Sequence, residues 1–102
     1  MIINFYNNDK LNTTIVVDNK AHTFTFQNYT DVNLDRAFGC KEQATWEDYN
    51  NFLLERCFPP TRQDLKYCLN TIGLEEYDPI EILKKTKGTL TDDKRWVEII
   101  DD

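Results

Sequence analysis

Residues 57–88, CFPPTRQDLKYCLNTIGLEEYDPIEILKKTKG, constrain the fold more than any other stretch. Pro59 and Pro60 lack an N–H to donate, and each disfavours helical backbone in the residue before it, so no helix can run through them. Gly73 and Gly88 stand where a left-handed residue would end a helix. Asp78 followed by Pro79 is a cap followed by a proline in the first helical position. The punctuation therefore divides this half of the chain into three short helices, over 46–57, 62–72 and 79–87. Thr45 caps the first, with Asp48 at its third position. Thr61 caps the second, with Asp64 three residues on. Asp78 caps the third, and Glu81 completes a capping box there. Helices of about three turns are marginal alone in water and need a surface to pack on. Each carries an apolar stripe for that purpose: Trp46, Tyr49, Leu53 and Cys57, widened by Phe52 and Leu54; then Leu65, Cys68, Leu69 and Ile72; then Ile80, Ile82 and Leu83. Lys84, Lys85 and Lys87 complement the negative end of the last helix.

The packing surface is supplied by the first third of the chain. Residues 2–6, 13–17 and 21–26 are strand-forming, and in the last of these Ala21, Thr23 and Thr25 alternate with His22, Phe24 and Phe26. Asp18, Asn19 and Lys20 suit a tight turn, because Asp and Asn tolerate positive φ. RWVEII at 95–100 reads as a last strand, preceded by a turn at 91–94. The order predicts one α+β domain: a small antiparallel sheet, formed by N-terminal hairpin strands and a C-terminal strand, with about three short helices on one face. Residues 27–44 are irregular and long for a loop in so small a domain, with a short helix or turn expected near 31–38. That makes them a candidate contact surface.

Charge narrows the function. The 102 residues hold 18 Asp and Glu against 12 Lys and Arg, a net charge of −6. Nonspecific nucleic-acid binding needs the opposite sign. An acidic surface suits a basic partner, found quickly through electrostatic steering, and it also keeps a protein soluble. No apolar run reaches the roughly 20 residues that span a bilayer, and the N-terminus lacks a basic start and apolar middle, so a cytoplasmic protein is expected. Three cysteines without a C-x-x-C pair fit a reducing compartment.

The candidate sites each have two readings. His22, Cys40, Cys57 and Cys68 could form a zinc shell, but their spacings are long, and Cys57 and Cys68 fall on apolar stripes where free Cys packs as a small hydrophobe. Arg56 and Arg62 flank the prolines near Lys66 and Tyr67; they form a small basic patch or a tie to nearby carbonyls. Lys84, Lys85, Lys87, Lys94 and Arg95 are a second basic group, offset by Asp92 and Asp93. Asp31, Asp35, Glu42, Glu47, Asp48 and Glu55 either mimic phosphates along a basic channel or form a solvated face, and Glu75 and Glu76, in the turn between helices, are further candidate contact acids. Phe5, Tyr6, Tyr29, Phe38, Tyr67 and Tyr77 exceed what a small core must use; among them Tyr29 and Phe38 lie in the irregular stretch beside the acids, as interface aromatics would. One His, no Gly-rich loop and no paired nucleophile and base argue against an enzyme.

Two resemblances bear on function. The pattern F-L-x-x-R-x-F-P-x-T-R, then L-x-x-x-G-L-x-x-Y-D-P-x-E-I-x-x-K-T-x-G, then D-D-x-x-W-V is carried by Phe52, Leu53, Arg56, Phe58, Pro59, Thr61 and Arg62, by Leu69, Gly73, Leu74, Tyr77, Asp78, Pro79, Glu81, Ile82, Lys85, Thr86 and Gly88, and by Asp92, Asp93 and Trp96. It resembles small reading frames of Gram-positive bacteria that accompany HipA-like kinases and prophage or mobile-element genes. It covers the C-terminal half and implies no catalytic activity. As a class, a small acidic single-domain chain is similar in profile to anti-CRISPR proteins, many of which occupy the basic nucleic-acid surface of a nuclease or block its conformational steps. The expectation is thus a non-enzymatic protein that binds a larger basic partner, in its sharpest form a CRISPR nuclease. A regulatory partner of a HipA-like kinase and a zinc-stabilised nucleic-acid module are the alternatives.

Overall fold

Strand β1 (Ile2–Asn7) lies inside a four-stranded antiparallel sheet of order β3-β2-β1-β4, with β2 at Lys10–Asp18, β3 at Thr23–Asn28 and β4 at Arg95–Ile100. The computed structural model describes residues 1–89 and 94–101; the turn expected at 91–94 lies largely outside them. The expected α+β architecture is present: β1 and β2 run longer than the apolar pattern alone marks, β3 lies two residues later than expected, and β4 has the expected bounds. Register explains the core. Ile3 stands opposite Ile15 and Ile99, Phe5 opposite Thr13 and Val97, and Val17 opposite Phe24. Alternation therefore sends these side chains to one face, where Ile3 and Ile15 are fully buried. Each such burial is worth about 1.5–3 kcal/mol. Between Phe5 and Tyr6 the register slips, with Thr13 opposite one and Leu11 opposite the other. Asn12 is the extra residue of this bulge. Its carbonyl accepts from the Tyr29 N–H at 2.8 Å, while its side-chain amide is buried with no partner among the described residues.

The helices α1 (Trp46–Glu55), α2 (Leu65–Thr71) and α3 (Pro79–Thr86) pack on that face. The cap of α1 is as expected: Thr45 Oγ1 accepts from the Asp48 N–H at 3.1 Å, and Asp48 Oδ2 accepts from the Thr45 N–H at 2.9 Å. Asp78 Oδ1 likewise accepts from Ile80 N–H at 3.1 Å, but the Glu81 carboxylate turns to Lys84 Nζ instead of closing a box. The expected Thr61 cap does not form. Turns bonded from Pro59 O to Arg62 N and from Arg62 O to Leu65 N fill residues 59–65, Arg62 Nε holds the Asp64 carboxylate at 2.7 Å, and α2 starts late. Leu54, expected on the buried stripe of α1, is exposed, whereas Tyr49, Phe52 and Leu53 are buried. At the end of α2, Leu74 N–H reaches Leu69 O and Gly73 N–H reaches Asn70 O, with Gly73 at φ +78°. This is the six-to-one bonding that a left-handed glycine allows.

His22 departs from its expected strand. Asp18 Oδ1 accepts from both Lys20 N–H and Ala21 N–H, which wraps the chain into a turn and leaves His22 at φ +53°. Its ring stacks on Trp46 with centroids 5.1 Å apart.

One charged side chain locks the layers together. Arg56, at the end of α1, is buried, donates from Nε and Nη2 to Gly88 O at 3.1 and 2.7 Å and from Nη2 to Arg95 O at 3.0 Å, and lies over the Phe5 ring. It thereby joins α1, the end of α3, β4 and the sheet. Close approach requires Gly88 to be glycine: at φ +66°, an added Cβ would stand 3.2 Å from Leu83 Cδ2 and Val97 Cγ2.

Candidate partner-binding surface

Between residues 29 and 55 the sequence places six carboxylates against Arg36 and Lys41. The fold separates the roles of these acids. Asp35 closes a short 3-10 turn (Asn33–Asp35) and points inward, where its Oδ1 accepts from Arg95 Nη2 at 2.9 Å, Arg95 Nε at 3.2 Å and Asn7 Nδ2 at 3.3 Å. It fastens the loop to β4 and β1 and is not a free contact acid. Asp48 caps α1 and accepts from Lys41 Nζ at 2.6 Å, and this hydrogen bond, with that of the Thr45 N–H, holds its carboxyl below the usual range. The same contact raises the pKa of Lys41. Asp31 is fully exposed, with Arg36 Nη2 3.7 Å away, and Glu42, Glu47 and Glu55 are exposed as well. Glu75 and Glu76 are exposed in the turn between α2 and α3, away from this loop's cleft.

The aromatics divide in the same way. Phe38, expected on the contact surface, is buried and packs against Phe24, Phe26 and Phe52. Phe5 is buried, Tyr77 donates its hydroxyl to Phe58 O at 2.7 Å, and Tyr6 stacks on Trp96 at 4.4 Å. Tyr29 and Tyr67 remain exposed. Sequence reasoning missed the apolar residues of the loop: Leu34 is 83% exposed and Val32 53%. A signal was available, since both lie in the stretch TDVNLDRA, where no helical or strand period supplies a buried face for them.

Loop and α1 enclose an open cleft of about 420 Å³. Leu34, Ala37, Phe38 and Phe52 form its apolar part, Arg36 and Lys41 line it from the loop, and Asp48, Asn51 and Glu55 line it from α1. Of the acids singled out by sequence, the cleft gathers Asp48 and Glu55, while Asp31 lies on the loop that forms its other wall. A floor of buried aromatics, an exposed leucine and the Glu55 carboxylate can meet a side chain with an apolar stem and a cationic head, as Lys and Arg have, while Asp48 is already held by Lys41.

The other candidates are dispersed. His22, Cys40, Cys57 and Cys68 do not converge; among the described residues no group of three or more His, Cys, Asp or Glu is placed to hold a metal ion. His22 lies against Trp46, and Cys40 is exposed in the loop. The Cys57 thiol is buried 3.7 Å from Pro79 O, and burial pushes its pKa up to about 11. Of the basic patch, Arg56 is the carbonyl tie described above, Arg62 pairs with Asp64, and Lys66 and Tyr67 are exposed. Lys84 pairs with Asp101 at 2.5 Å, and Lys87 Nζ lies 5.9 Å from the Trp96 ring centroid. No helix of the described residues is long and apolar enough to cross a membrane. No protein-family model, curated protein or solved structure matches this chain.

Proposed function

We propose that this chain is a binding protein that grips a larger, basic macromolecular partner through the loop 29–41 and the facing side of α1. The observation that carries the reading is Leu34. A leucine left almost wholly in water, with exposed Val32 two residues before it and set beside a cleft lined by charges of both signs, is a hydrophobic centre with a charged rim. The net charge of −6 gives the sign of the partner and a long-range attraction toward it. In its sharpest form the partner is a CRISPR nuclease, whose guide and target channel is strongly positive, and the chain acts by competing with nucleic acid or by holding the nuclease in an inactive pose. Likeness in size and charge to anti-CRISPR proteins supports that form.

The test is a pull-down of a purified CRISPR nuclease, with and without guide RNA, at low and high salt. Binding at low salt that weakens as salt rises, and that is lost in Leu34→Lys, agrees with the proposal. Absence of binding at low salt in both guide states removes the nuclease form. Binding that persists unchanged in Leu34→Lys removes the assigned surface.

A further inference from the structure

The two edges of the sheet are finished differently. On β4, the Val97 N–H donates to the Lys87 carbonyl at 2.7 Å, the Arg95 carbonyl accepts from Arg56, and charged Arg95 and Glu98 lie in the strand. On β3 none of these devices is present. Its sequence TFTFQN has no charge and no proline, and its register with β2 runs without a bulge. Sheet edges of this kind are open to pairing, and proteins ordinarily blunt them with lysine, proline or a bulge.

Hydrogen-bond parity shows which groups are open. Tyr29 N–H donates to Asn12 O across β3 and β2, and Val17 N–H donates to Met1 O on the β1 side of β2. Bonded residues alternate along an antiparallel ladder. Thr23, Thr25 and Gln27 therefore turn their main chain to β2, and Phe24, Phe26 and Asn28 turn theirs to the outside. No hydrogen bond from the rest of the described chain reaches those outward groups.

We propose that β3 pairs antiparallel with β3 of a second copy of this chain, joining two four-stranded sheets into one. A two-fold axis at Phe26 engages every outward group: Phe26 meets Phe26 of the second copy, and Phe24 meets its Asn28. The same register places Thr25 opposite Gln27 of the second copy on the exposed face. A second copy fits better than a charged partner strand because the contact is self-complementary and uncharged along its length. Two chains of −6 each nevertheless repel, so this association tightens as salt screens them. Capture of a basic partner does the reverse, which separates the two surfaces experimentally.

The experiment is sedimentation of the whole chain over increasing concentration at low and high salt. The expected result is a reversible species of twice the chain mass, favoured by salt, with amide exchange of Phe24, Phe26 and Asn28 slowing as it forms. Thr25→Lys with Gln27→Lys sets lysine opposite lysine in that register and should weaken the dimer at least about tenfold. Thr25→Lys with Gln27→Glu sets lysine opposite glutamate and should restore it. Both side chains are exposed, so circular dichroism should show an unchanged fold. A single-chain mass up to about 1 mM in both salts, the weak end of meaningful affinity, overturns the proposal. So does a double-lysine variant that dimerises like the parent, or a chain that stays monomeric and takes up only a basic extended peptide.

Discussion

The junction around Arg56 and the loop around Leu34 treat polar and apolar groups in opposite ways. At the junction a buried guanidinium reaches carbonyls from two different segments, Gly88 gives up its Cβ to let three side chains meet, and Asp35 is drawn in by Arg95 from 60 residues away. On the loop, Leu34, Val32 and Tyr29 face water and Asp31 is fully exposed. Ordinary folding physics accounts for the first region. In the second, Asp35 and Phe38 anchor the loop while Leu34, Val32 and Tyr29 are left outside the packing, which makes those three the place where a partner is proposed. The difference teaches where to look for function in a chain with no catalytic motif: at groups the fold leaves unengaged.

That contrast can be broken at several points. Arg56→Ala removes hydrogen bonds from two buried-side carbonyls and should cost about 3 kcal/mol in denaturant unfolding. A loss under about 1 kcal/mol would show that the junction is looser than its geometry. Gly88→Ala should cost about 2 kcal/mol, since it adds left-handed strain to contacts of 3.2 Å. Leu34→Lys should change stability by less than about 0.5 kcal/mol, as exposed substitutions do, while abolishing partner capture. A large destabilisation there would make the loop part of the scaffold.

Cysteine chemistry sharpens the same comparison. Cys40 in the loop should react with an alkylating reagent under native conditions, and Cys57 at the junction only on unfolding, because its thiol is buried with a pKa of about 11. Mass spectrometry of the labelled peptides reads the order. The smallest effect concerns Asp48 and Lys41. Asp48 has a folded pKa below its ordinary 3.8, so its contribution is present above that value and is lost as pH falls through the lowered one. Lys41 is raised above 10.5, so its contribution is present below that value and is lost as pH rises through the raised one. Melting temperature should therefore be insensitive to this pair at neutral pH, and Asp48→Asn should flatten part of the acid-side decline.

Much of the fold was legible because local signals and tertiary needs agree. Alternation in β1 to β4, the Thr45 box, Asp78-Pro79 and Gly73 all point the same way in sequence and in space. Disagreement arose where a neighbour outbid a local preference. Arg62 occupies Asp64, so the second helix starts late, and the Asp18 side chain bends the hairpin at His22. The irregular stretch was recognisable as lacking a long helix or a strand over most of its length, but its residues could not be sorted into buried and exposed. Phe38 and Asp35 point inward only because Phe26 and Arg95 wait there, and Leu34 points outward for want of any such partner.

The most direct test of the whole account is a side-by-side titration of the parent chain, Leu34→Lys and Glu55→Lys against a purified guide-loaded CRISPR nuclease at low and high salt, with unfolding measured on the same preparations. The account predicts that both variants keep the parent's stability and lose affinity by tenfold or more, about 1.4 kcal/mol, and that the parent's own affinity falls with salt. Parent-like binding by both variants, or binding indifferent to salt, would contradict it.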